Sequence, residues 1–88
     1  MARFIAKAIP VIEAEQFLPP DQVPAGVYDV RNVSKVADPI YIGRVLTIQG
    51  QEVTVHSGEW IVTEASDDTR HYPIDDLVFQ KKYELLED

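Results

Sequence analysis

The most regular alternation of apolar and polar positions falls at residues 40–48, where Ile40, Ile42, Leu46 and Ile48 share one side of an extended segment and only Arg44 interrupts them. Gln49-Gly50 then reads as a turn, and residues 51–56 return with Val53 and Val55 facing in and Glu52, Thr54 and His56 facing out. The spacing predicts a hairpin. After a second turn at Ser57-Gly58, the run Trp60, Ile61, Val62 has no polar side. It predicts a strand buried on both faces, ended by the turn-rich Ala65-Ser66-Asp67-Asp68-Thr69. Residues 40–63 are therefore expected to form a three-stranded meander. Ile42, Leu46, Val53, Val55, Trp60, Val62 and Phe79 are expected to meet in one core.

Elsewhere the apolar pattern comes in short pieces between prolines and glycines. Residues 11–17 read as a strand entered through Pro10 and ended by Pro19 and Pro20, which cannot donate to a ladder. Pro24-Ala25-Gly26 makes a turn into a short strand at residues 27–30, with Val27 and Asp29 on one face and Tyr28 and Val30 on the other. Residues 34–39 lack any apolar period, and Asp38 precedes a proline, so a mobile connection is expected there. Residues 70–74 form another strand, which Pro73 confines to an edge or a bulge. Asp75 is placed to cap a brief helical turn through Phe79, with Lys81 and Lys82 near its negative end and Tyr83 within reach of Phe79. A last extended segment at residues 83–86 is expected to pair with an edge strand. These elements make one mostly β domain over residues 1–88, with about six short strands and one short C-terminal helical turn. Closure removes exposed edges, so a small antiparallel barrel or a strongly curled sheet is expected.

Composition narrows the chemistry. The 88 residues contain no cysteine, which removes disulfides, thiolate metal sites and a thiol nucleophile, and fits a reducing compartment. Arg3 and Lys7 are followed by Glu13 and Glu15 before any apolar run of signal-peptide length, and no stretch approaches the roughly 20 residues of a membrane span. Neither export nor insertion is expected, and the cytoplasm is the expected location. The net charge of −7 disfavours direct nucleic-acid binding. The acidity is concentrated in residues 59–88, with nine acids against three bases.

Candidate reactive groups are sparse. His56 and His71, the two histidines, are fifteen residues apart and match no metal-ligand spacing, so both are read as structural or surface residues. Trp60, the one tryptophan, is read as core. Glu13 and Glu15 project from one strand face about 7 Å apart, as two carboxylates on a wet face do. Asp67-Asp68 and Asp75-Asp76 are explained by turn and cap chemistry. No phosphate loop, nucleophile elbow or dinucleotide fingerprint occurs, so no catalytic, metal or cofactor-binding residue is assigned and no cofactor is expected.

Gly58-Glu59-Trp60-Ile61-Val62, then Tyr72-Pro73, Phe79 and Tyr83-Glu84, resemble the C-terminal signature of a group of small uncharacterised bacteriophage and prophage proteins. Pro10-Val11-Ile12-Glu13-Ala14, Gln16-Phe17 and Thr47-Ile48-Gln49-Gly50 resemble its other recurrent pieces. The chain departs from that group at Ser57-Gly58-Glu59, where Pro-Gly-Asp is usual, and at Ile74-Asp75-Asp76, where Cys-Lys-Pro often follows Tyr-Pro. The resemblance implies a phage gene product working in the cytoplasm of a bacterial host, and carries no activity with it. The expected function is a non-catalytic protein-binding module in host takeover, acting on a host or phage protein with a basic surface. Its specific form would be an inhibitor of a basic or nucleic-acid-binding host protein. Asp67, Asp68, Glu84 and Glu87 are the candidate partner-binding residues, and neither nucleic acid nor membrane is an expected direct partner. Two alternatives stand beside it: a virion or assembly component acting by homo-oligomerisation, and a small-molecule (nucleotide) sequestering protein with its pocket near Trp60 and Tyr72.

Overall fold

The computed structural model describes residues 2–6 and 11–87, with the backbone alone for residues 5–6 and 84–87. Pro10, which was to introduce the first strand, lies outside the described residues. Eight strands and one helix follow in the order β1 (Ala2–Ala6), β2 (Val11–Gln16), β3 (Tyr28–Asn32), β4 (Tyr41–Leu46), β5 (Glu52–His56), β6 (Trp60–Thr63), β7 (His71–Ile74), α1 (Asp76–Lys82) and β8 (Tyr83–Glu87). They build a five-stranded antiparallel sheet in the order β7-β6-β2-β1-β8 and a three-stranded sheet in the order β3-β4-β5. The fold is mostly β, as the punctuation predicts, but the described strands form two open sheets and no closed barrel. Pro73 sits in edge strand β7, where its missing N–H faces away from the ladder.

β6 divides the interior. Its alternate residues point to opposite faces of the large sheet, and both faces are covered. On one side Val62 packs with Phe4, Ala14, Tyr83 and the helix residue Phe79. On the other Ile61 packs with Phe17 from the end of β2 and with Val45 and Val55 from the small sheet. The single core expected around Ile42, Leu46 and Trp60 is therefore two cores, and Trp60, Val62 and Phe79 belong to a different one from Val53 and Val55. The expected meander is also broken: β6 pairs with β2 and β7, not with β5. The turn at Ser57-Gly58, with Gly58 at φ 93°, carries the chain from one sheet to the other. Gly58 then takes up the ladder of β2, its N–H donating to the Phe17 carbonyl at 2.7 Å.

The register of the β4–β5 hairpin accounts for the difference between the expected and the observed core. A two-residue loop at Gln49-Gly50 would set Leu46 opposite Val53. The loop instead has three residues: Thr47 and Gln51 are bonded across it (Thr47 N–H to Gln51 carbonyl, 2.9 Å), and Gly50 takes the left-handed conformation at φ 81°. Leu46 now faces Glu52, and Val45 faces Val53. A one-residue shift exchanges the two faces of a strand. Gly43, Val45 and Thr47 therefore turn inward, and Ile40, Ile42, Leu46 and Ile48 turn outward.

β3 carries a matching irregularity. Tyr28 pairs with Arg44 but Arg31 pairs with Ile42, so β3 holds one residue more than its partner, and Asp29 adopts φ 55°. The bulge turns both Val27 and Val30 toward the small sheet's core, where alternation would have put them on opposite faces. Gly43 makes room for them, since a Cβ there would lie 2.7 Å from Val27 Cγ1 and 3.4 Å from Val30 Cγ2.

Candidate functional site: the outward face of the small sheet

The register of β4 leaves an apolar stripe in solvent. Ile40 is 55% exposed and Ile48 42%, and Ile42 and Leu46 lie half-buried between them. Cross-strand partners share a face, so Tyr28 and Thr54 flank Arg44, while Arg31 and His56 flank Ile42. The Tyr28 hydroxyl reaches across β4 and donates to Glu52 Oε2 on β5, and this bond is the main cause holding the phenol above its ordinary pKa. Arg44 Nε approaches Asp29 Oδ2 at 3.4 Å, with Arg31 Nη1 3.9 Å from the same oxygen. The polar side chains are thus held in pairs around a strand whose outward side is aliphatic apart from Arg44.

The β3–β4 hairpin extends this face. Residues 34–39 have no regular structure, as expected, but the ends of the loop are tied. Asn32 Oδ1 accepts from the N–H of Ser34 at 2.9 Å and of Ile40 at 3.0 Å, and Val33 N–H donates to the Ile40 carbonyl at 2.8 Å. Val36 stands at the tip, 76% exposed.

The acidic candidates do not converge. Asp67 is engaged within its own turn: Oδ1 accepts from Thr69 N–H at 3.0 Å and from Thr69 Oγ1 at 2.6 Å, and these bonds are the leading cause of its lowered pKa. Arg70 Nε lies 3.8 Å from Asp67 Oδ2, and Arg70 Nη1 donates to the Thr47 carbonyl at 3.0 Å, tying the β6–β7 turn to the β4–β5 loop. Asp68 is exposed beside it. Glu84 and Glu87 fall in β8, where side chains lie outside the description, but the backbone places them on the opposite edge of the large sheet from β7.

Other sequence candidates take structural places. The Trp60 indole stacks on Phe79 at 4.2 Å and meets Phe4 edge-on at 5.2 Å, and its Nε1–H donates to Asp76 Oδ1 at 2.8 Å. One face of the ring is therefore covered. Burial pushes the Tyr72 hydroxyl up to about 12, with Tyr83 adding to the shift, which leaves it protonated at neutral pH. Asp75 caps α1 by accepting from Leu77 N–H at 3.0 Å. His56 is exposed beside Glu59, its Nδ1 3.5 Å from Oε1, and His71 is buried in the other sheet. Glu13 and Glu15 share a face of β2, Glu13 exposed and Glu15 half-buried. Among the described residues no group of three or more His, Asp or Glu side chains is placed to hold a metal ion, and no helix is long and apolar enough to cross a membrane.

His71 is the buried titratable group with a physical consequence. Burial is the main cause depressing its pKa, and Asp68 and Asp67 oppose the shift. The folded chain thus prefers neutral His71, and the unfolded chain, with an ordinary pKa of about 6.5, binds the proton more readily. This contribution to stability is complete above about pH 6.5 and is lost as pH falls below it. Urea denaturation between about pH 7.5 and 5 should show a decline that His71→Asn flattens; equal slopes in both proteins would contradict it.

Comparison with models of known families, with curated proteins and with solved structures finds no match to this chain.

Proposed function

We propose that this protein is a non-catalytic protein-binding module whose contact surface is the outward face of β3, β4 and β5. The aliphatic stripe Ile40-Ile42-Leu46-Ile48 carries the reading. A small chain gains stability by burying such residues, and aliphatic side chains left in water on either side of Arg44 mark a candidate interface. Strands position the stripe rigidly, and the Tyr28–Glu52 and Arg44–Asp29 pairs supply a fixed polar surround. The sequence resemblance supports a phage gene product acting in the cytoplasm of a bacterial host.

A second reading, recognition of a basic partner such as a nucleic-acid-binding host protein, draws support from the exposed acids of the β6–β7 turn and from the net charge of −7. One experiment separates the two. The tagged chain is used as bait in bacterial lysate from cells that also express the untagged chain. Ile40→Thr/Ile48→Thr changes two exposed positions outside the strands and should abolish capture with stability altered by no more than about 0.5 kcal/mol. Asp68→Asn/Glu84→Gln/Glu87→Gln should leave capture intact; Asp67 is kept because it holds Thr69 and Arg70. The reverse pattern would replace the first reading with the second.

A further inference from the structure

We infer that the outward face of β3–β4–β5 docks a second copy of this chain, face to face about a two-fold axis. This rests on the reading of that face as the binding surface and names its occupant. A two-fold interface presents one patch twice, so the patch must tolerate itself in both shape and charge.

The charge distribution meets that condition in one segment. Residues 28–56, which form the small sheet, carry Arg31, Lys35 and Arg44 against Asp29, Asp38 and Glu52 and are neutral. The rest of the chain holds five bases and twelve acids, the entire net charge of −7. Two copies repel through any contact between their acidic bodies and approach without net repulsion over the small sheet. A basic partner would be drawn to the acidic body, away from the aliphatic stripe. A second copy is the occupant that matches an apolar, charge-balanced face on an acidic molecule. Arg31 and Arg44 are matched on this face by Asp29 and Glu52, so a facing copy can exchange partners among these four ions without leaving one unpaired.

The size of the face sets the strength. Three strands of about six residues give a footprint on the order of 300 Å² per copy before the flanking Ile40 and Ile48 are added. That is small beside stable dimers, so a weak, reversible association with Kd of about 10–1000 µM is expected. The sign of the salt effect is diagnostic. Added salt screens repulsion between the acidic bodies and should tighten the dimer, whereas it weakens any contact made by acids on a basic partner.

Sedimentation equilibrium of the full chain over about 5–500 µM, at about 20 and 300 mM NaCl, tests this. The expected result is a monomer–dimer equilibrium that tightens several-fold at the higher salt. In Ile42→Thr/Leu46→Thr, or in the more exposed Ile40→Thr/Ile48→Thr if the first pair unfolds, it should weaken at least about ten-fold. A monomer throughout overturns the inference, as does a dimer that neither double variant weakens, which would place the contact elsewhere, such as at the free edge of β8. Should the chain be monomeric while the lysate capture remains sensitive to Ile40→Thr/Ile48→Thr, the second copy is overturned and the binding face stands. Capture insensitive to those changes overturns both.

Discussion

Trp60→Ala is expected to cost about 3–5 kcal/mol, enough to unfold much of a domain of this size. The indole holds α1 to the large sheet together with Phe4, which meets Phe79 edge-on at 4.8 Å. It lies nearly parallel to Phe79, with 4° between the planes, and it receives the ring edge of Phe4 from β1. Its truncation leaves a void between the large sheet and α1. It also removes the best-formed donor to Asp76, whose Oδ1 otherwise accepts only longer bonds from Gln16 Nε2 at 3.5 Å and Gln80 Nε2 at 3.4 Å. Trp60→Phe keeps the stacking and loses the bond, and should cost about 1–3 kcal/mol. Urea denaturation followed by circular dichroism checks the pair. A Trp60→Ala chain that unfolds cooperatively at the parental midpoint would show that α1 is held to the sheet by something other than this aromatic group.

Much of this arrangement was legible because local rules and tertiary packing agree. Pro73 marked an edge or a bulge, Asp75 a helix cap, and the unbroken apolar run at residues 60–62 a strand buried on both faces. In β3 and β4 a single extra residue exchanges the faces, whereas the meander is broken because β6 pairs with β2 and not with β5. Gln49-Gly50 has the composition of a two-residue turn, but Ile48 joins the loop, and every side chain of β4 changes face. In β3 the residue in excess is Asp29, a type that tolerates positive φ, which nothing in the alternation of Val27 to Val30 announced. β1 went unnoticed because Ala2 and Phe4 alternate with Arg3 over too few positions to form a pattern, and its place is fixed by β2 and β8 on either side.

The same shift explains why the candidate surface was missed. β4 has apolar residues on both sides, Val45 on one and Ile42 and Leu46 on the other, and the longer series reads as core. A strand that is aliphatic on both sides at the centre of a sheet with one covered face must show one side to solvent or to a partner. That signal was in the sequence. The acidic positions could not be grouped from the sequence for a different reason: closeness in sequence says nothing about sheet order, and Asp67 and Asp68 lie in the β6–β7 turn while Glu84 and Glu87 lie in β8.

Gly26→Ala should be the second most damaging single change, at about 2–4 kcal/mol, for two separable reasons. Gly26 adopts φ 94°, where an L side chain is strained by about 1–2 kcal/mol. A Cβ there would also lie 2.2 Å from His71 Cε1 and 2.3 Å from Nδ1, inside a ring that is only 5% exposed and has little room to withdraw. Overpacking of this kind costs about 1–3 kcal/mol. A double-mutant cycle distinguishes the contributions, because His71→Ala clears the space and leaves the backbone strain unchanged. Gly26→Ala should therefore be less costly in the His71→Ala background by about 1–3 kcal/mol, with the remainder reporting the strained φ. Equal costs in both backgrounds would mean that the turn at Pro24-Ala25-Gly26 does not rest on the histidine. The cycle should be measured near pH 7.5, where His71 is neutral in folded and unfolded chains alike and its titration does not enter the difference.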